Sequence, residues 1–311
     1  MSMKKSGIAC LTLAVAVLII IAGCHSDRVK SVHSLYYWST VFTISDQQKA
    51  FIDHHNISRI YLRYFDVVVD SHDEVMPNAT CVFKSRVPDS TEVIPTVFIV
   101  NEVMRRQNDS LPELILRRVL QMSETNLVPM PKEIQIDCDW TQSTQQRYFE
   151  FLSHLHELTA AKGMTLSTTI RLHQLALPVP PVDRGVLMVY NTGDVTRLDV
   201  SKPILDPKDI APYIKWLPDY QLPLTEALPL FSWKVLFRGG KYVGIMHSAD
   251  EYPVIEGDSI VLRQPCMDDI MQAKRMVECR DDIAREIILF DMNNNNITRF
   301  TDNEYEEIYH Y

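Results

Sequence analysis

Residues 133–141 read Glu-Ile-Gln-Ile-Asp-Cys-Asp-Trp-Thr and alternate strictly between polar and apolar. Successive side chains of a strand point to opposite faces, so Gln135, Asp137 and Asp139 share one face and Ile134, Ile136, Cys138 and Trp140 the other. An amphipathic helix follows at once over 143–162, with Phe149, Leu152, Leu155 and Leu158 at helical spacing and Gly163 as its C-cap. This suits a parallel barrel: the apolar face packs under helices, and the polar face lines the lumen up to the C-terminal rim.

The same reading extends along the chain. Strands are expected at 34–42, 57–70, 92–101, 165–173, 185–191, within 223–237, and at 286–292. Ser167, Thr169, Arg171 and His173 fall together on a second polar-faced strand. Helices are expected from the Ser45 cap to 55, from a Ser110/Glu113 capping box to 123, over 206–216 and 267–277, and after Thr301 with Glu304. The stretches 71–90 and 175–183 hold prolines and no helical period, so loops replace helices there. Two β-like segments, 242–247 and 259–263, follow Gly239-Gly240 and predict a β-hairpin inserted after strand seven. The sum is an α/β chain forming a single (β/α)8 TIM-type barrel, without internal repeats or a dividing linker.

The first 23 residues stand outside that pattern. Lys4 and Lys5 precede an apolar run ending Ile21-Ala22-Gly23-Cys24. That run is short for a bilayer span of about 20 residues and has the shape of a secretory leader. The small pair before a cysteine resembles the bacterial lipobox. Residues 1–23 are thus expected to be a signal peptide, Cys24 the lipidated N-terminus, 24–33 a tether and 34–311 the barrel domain. His25 after the cysteine, rather than aspartate, favours outer-membrane sorting in a Gram-negative cell.

The chain carries a formal charge of −9, and losing the leader removes two lysines and no acid. Such a balance argues against nucleic acid as a partner and leaves lipid as the expected attachment to the membrane. Of the cysteines beyond 24, Cys266 and Cys279 are the pair most open to bridging in an exported protein, while Cys138 faces the apolar side as a buried thiol. No GxGxxG turn opens a helix, so no dinucleotide cofactor is expected. No His-x-His or His-Glu-x-x-His spacing appears, and His54-His55 sits at a helix end, so no metal is expected. Nothing in the chain signals an oligomeric state.

The strand ends collect Trp38, Arg63, Asp66, Asn101, Asp137, Asp139, Trp140, Arg171, His173, Gln174, Tyr190, Asn191, Trp233 and Asp291. Aromatic faces take sugar rings and planar polar groups take hydroxyls, so a saccharide is the expected ligand. Asp139 and Asp137 are the candidate catalytic carboxylates, with Asp66 and Asp291 as further partners. Hydrolysis needs two carboxyl groups about 5 Å apart for retention or more than about 6.5 Å for inversion. A glycan-binding protein without turnover is the alternative. In an ordinary barrel interior, Asp137 and Arg171 would instead form an internal ion pair.

The runs 133–175 and 186–191, with Phe-Ser-Trp-Lys-Val-Leu-Phe-Arg-Gly-Gly at 231–240, resemble a family of exported bacterial barrel proteins, commonly lipoproteins, which supplies no activity. More distantly, Ile136-Asp137-Cys138-Asp139 resembles the fourth-strand Asp-x-Asp of chitinase-type (family 18) glycoside hydrolases. There a glutamic acid two residues after the last aspartate protonates the leaving group. Thr141 stands at that place here, so the resemblance implies the fold and the two aspartates but not the acid.

Overall fold

The computed structural model describes residues 31–246, 251–280 and 283–310. The expected signal peptide, Cys24 and most of the tether lie outside the described residues.

The barrel strands are β1 (Val32–Tyr37), β3 (Ile57–Val69), β6 (Glu92–Ile99), β7 (Glu133–Asp137), β8 (Thr165–Arg171), β9 (Arg184–Met188), β10 (Leu224–Pro229) and β14 (Glu286–Phe290). They pair in parallel in chain order, and β1 pairs with both β14 and β3, so the sheet closes on itself. Closure leaves no barrel edge, and the parallel order requires each connection to cross outside. The short strands β2 (Val41–Phe42), β4 (Val75–Asn78) and β5 (Val82–Phe83) lie outside the ring, with β4 antiparallel on β3.

Helices α1 (Asp46–His54), α2 (Leu111–Thr125), α3 (Gln145–Ala160), α4 (Pro207–Ile214), α5 (Met267–Val277) and α6 (Asp302–Tyr309) fill most crossings. Ser45 with Gln48 and Thr301 with Glu304 form the capping boxes that open α1 and α6. Ser110 does not cap α2: its hydroxyl turns to Asn108, and Glu113 pairs with His154 instead. Loops and 3-10 turns replace helices after β3 and β8, as the prolines require.

The insertion differs from the expected hairpin. The segments Lys241–Met246 (β12) and Asp258–Arg263 (β13) do not pair with each other. Both flank a third strand, Trp233–Arg238 (β11), giving an antiparallel sheet ordered β12-β11-β13. The seventh barrel strand, expected within 223–237, is β10, which ends at Pro229. Residues 230–232 separate it from β11, which belongs to the insertion. Cys266 and Cys279 are both free and lie at opposite ends of α5. An 11-residue helix is about 16 Å long, beyond a disulfide's Cα reach of about 7 Å.

Inward side chains stack in layers. At the floor, Arg184 donates from Nε (3.0 Å) and Nη2 (2.8 Å) to Glu133 and from Nη1 (2.8 Å) to Glu286. Arg59, Ser34 and Tyr61 also donate to Glu286. Above them Gln135 accepts from Tyr36 at 2.7 Å. Asp137 and Thr169 come next, and Arg171 stands at the rim. The alternation of β7 and β8 thus continues through the interior.

Candidate functional site

The C-terminal mouth is an open cleft of about 860 Å3. The ends of β1, β6, β9 and β14 and the turn after β10 bring Trp38, Phe98, Tyr190, Phe290, Phe231 and Trp233 to its wall. These rings pack against one another at tilted angles: Phe290 lies 5.4 Å from Trp38 and 5.2 Å from Tyr190, and Phe231 lies 5.0 Å from Trp233. Burial and the neighbouring Asp137 and Asp291 push the Tyr190 phenol well up, with Arg171 opposing, so it stays neutral.

Between the rings stand planar polar groups. A bulge in β3 after Arg63 brings Asp66 onto the side of Arg63, which grips both its oxygens and crosses Trp38 at 5.4 Å. Asp66 is buried in that pair and does not face the cleft. Arg171 joins two aspartates, Asp139 at 2.5 Å from Nε and Asp137 at 3.3 Å from Nη2, and Thr169 donates to Asp137 at 2.6 Å. The internal pair of an ordinary barrel is therefore present. Burial still pushes the Asp137 carboxyl up, with Arg171 pulling it back. Asp139 differs in exposure, its side chain being 60% open.

Asp291 follows β14 and lines the same cleft. Asn296 donates to its Oδ1 at 2.7 Å and Asn293 at 3.4 Å. Burial pushes its carboxyl up to about 6, against those amide hydrogen bonds. No cation is paired with it among the described residues. Asn191, at a φ of 56°, separates the cleft from a side pocket of about 450 Å3 that Asp139, Thr141 and His173 line.

Besides Asp66, two expected ligands are placed elsewhere. Trp140 is fully buried, its ring packed against Tyr148 and Phe149 of α3. It keeps the apolar face that the alternation gave it and offers the mouth no ring surface. His173 does not continue the β8 alternation, because the strand ends at Arg171 and a 3-10 turn over Leu172–Ala176 begins. It stands on the side pocket, where partial burial and Arg171 push its pKa down. Asn101 and Gln174 are structural: Asn101 accepts from Thr144, and Gln174 donates to the Trp140 carbonyl. The sequence reading did not single out Phe98, Phe231, Phe290 or the run Asn293–Asn296, although Phe98 and Phe290 share the inward parity of their strands.

Solved structures of similar shape include chitinases and a spore cortex-lytic enzyme. The chain has a TM-score of 0.57 to a chitinase from Chromobacterium violaceum, at 10% identity, covering 89% of this chain and 98% of that one. For the spore cortex-lytic enzyme SleL of Bacillus cereus the TM-score is 0.54 at 14% identity, covering 87% and 74%. A GH18 chitinase from Cycas revoluta in complex with (GlcNAc)4 gives 0.53 at 11%, covering 90% and 98%. The fold is the closed (β/α)8 TIM-type barrel that these structures share. No family model matches the sequence, and no curated protein does. The weak Asp-x-Asp resemblance of β7 thus has its counterpart in the whole barrel, while Thr141 bonds only to Thr144, Ser143 and Asn101.

Proposed function

We propose that the cleft binds a saccharide, with the protein held at the cell envelope by lipid on Cys24. The observation that carries the binding half is the wall of Trp38, Tyr190, Phe231, Trp233 and Phe290 interleaved with Arg63, Arg171, Asp291 and the amides of Asn293–Asn296. Flat apolar rings beside fixed planar donors and acceptors match the alternating CH faces and hydroxyls of a sugar. The barrel's likeness to saccharide-cleaving enzymes supports the reading at the level of fold.

The test is a glycan array probed with the soluble domain beginning after Cys24. A defined glycan should bind, and Trp233→Ala should weaken it about 10-fold or more, because a partly exposed ring at the cleft wall is lost. An array silent towards the wild-type domain would reject the proposal.

A second reading, hydrolysis, rests on Asp291. It is a cleft carboxyl pushed up to about 6, as a proton donor requires. Asp139, on the adjoining side pocket, is the candidate second carboxylate.

The address rests on the leader and Ile21-Ala22-Gly23-Cys24. Among the described residues no helix is long and apolar enough to cross a membrane. Cys24→Ser should abolish acyl labelling and release the protein or leave it unprocessed; unchanged labelling and fractionation would exclude lipidation at this residue.

A further inference from the structure

Helix α1 ends on two adjacent histidines beside the first turn of α6. His54 Nε2 lies 3.6 Å from Asp302 Oδ2, and His55 Nε2 lies 3.6 Å from Asp302 Oδ1. One ligand atom from each of the three residues falls within 4.8 Å of the others. Neither histidine contact is a hydrogen bond at that length.

His55 sets this cluster apart from a solvated surface pairing. Its side chain is 1% exposed, and Nε2 is buried with no hydrogen-bond partner. Phe51 at 4.4 Å and Tyr305 at 5.3 Å hold the ring. The other nitrogen, Nδ1, lies 3.1 Å from Glu306 Oε1. A carboxylate only accepts, so Nδ1 carries the proton, and a neutral ring then has its lone pair on Nε2, turned towards Asp302. A histidine whose far nitrogen donates to a carboxylate while the near one is left open is the arrangement that orients imidazole ligands on metals.

The spacing agrees with an ion. Two ligands on a tetrahedral centre with bonds of about 2.1 Å stand roughly 3.4 Å apart; the histidine contacts to the two oxygens of Asp302 are each 3.6 Å, and the three ligand atoms fall within 4.8 Å of one another. His54 and Asp302, with side chains 59% and 73% exposed, are free to close the remainder.

We propose that His54 Nε2, His55 Nε2 and the Asp302 carboxylate bind a divalent first-row ion of the zinc class, with Glu306 orienting His55 and water completing the shell. Two imidazoles and one carboxylate suit such ions rather than the all-oxygen shells of calcium or magnesium. The site lies outside the saccharide cleft and does not depend on it. It ties the helix after the first barrel strand to the helix after the last. No spacing signal marks it, because the third ligand lies far along the chain.

The experiment uses the untagged full-length mature protein, stripped with a chelator and titrated with Zn2+ alone. One ion per chain is expected, with Tm raised by about 5 °C when free zinc is about 100-fold above Kd. Co2+ should give the visible absorption of a low-coordinate N/O site. His54→Ala removes an exposed ligand without touching the core, so its metal-free Tm should match wild type. Its zinc affinity and that of Asp302→Asn should fall at least 10-fold, which at the same free zinc cuts the Tm rise to about half or less. Wild-type protein that takes up no zinc, or variants that bind it as wild type does, would overturn the site.

Discussion

Arg184→Met should cost the barrel about 3–5 kcal/mol, the range for breaking a buried ion pair by removing one partner. The guanidinium spans the floor between Glu133 and Glu286, whose side chains are 9% and 4% exposed. Thr225 and Tyr61 complete its contacts. Methionine fills much of the volume but leaves both carboxylates facing each other, with Arg59 reaching only Glu286. Since a domain's whole stability is about 5–15 kcal/mol, such a variant should melt far below wild type.

The loss should also depend on pH. Burial already pushes the Glu133 carboxyl up, and Arg184 is the largest influence holding it down. Without Arg184 its folded pKa rises further above the unfolded value of about 4.3. A carboxyl raised in the folded state is an advantage below the unfolded pKa and loses it as pH rises through the folded one. The defect should therefore be largest near neutrality and shrink towards pH 4. Urea unfolding of both proteins at several pH values checks this, and a loss below about 1 kcal/mol at pH 7 would show that the floor network is dispensable.

Asp291→Asn should separate the two readings of the cleft. The substitution keeps the size of the side chain and an oxygen for Asn296 while removing the acidic proton. If the barrel hydrolyses its saccharide, kcat should fall by about 10²–10⁴. In the wild type, activity should decline as pH rises through about 6, where Asp291 gives up its proton. The variant's residual rate should lack that limb. In a pure binder, affinity should change modestly and no product should form in either protein. Asp139→Asn beside it tests the second carboxylate, since loss of both rates with intact binding identifies a pair acting together. Turnover that survives in Asp291→Asn with an unchanged pH profile would remove Asp291 from the chemistry.

What was legible in the sequence followed from regular alternation. Gln135 and Asp137 on β7, and Ser167, Thr169 and Arg171 on β8, all face the lumen because a paired strand leaves no choice of face. The reading weakened where pairing stopped. His173 lies past the end of β8, and a 3-10 turn has its own direction. Trp140 kept its apolar parity, so its place under α3 was implicit in the same alternation that placed Asp137. The β10 to β11 boundary was hidden because an apolar barrel strand and an apolar insertion strand have the same composition. Cleft rings such as Phe231 form a wall only beside partners distant in sequence, which spacing along one chain does not show.

Closure of the ring also governs how the chain can assemble. Strand β1 takes half of its pairing from β14, with Val32 opposite Glu286, and Tyr309 at the end of α6 donates to the carbonyl of Ser34. Contacts of such sequence separation form late and slowly, because the loop must close before they repay it. The first strand therefore remains half-paired until the last has emerged. Ring closure waits for β14, and a chain halted anywhere before it exposes two open strand edges.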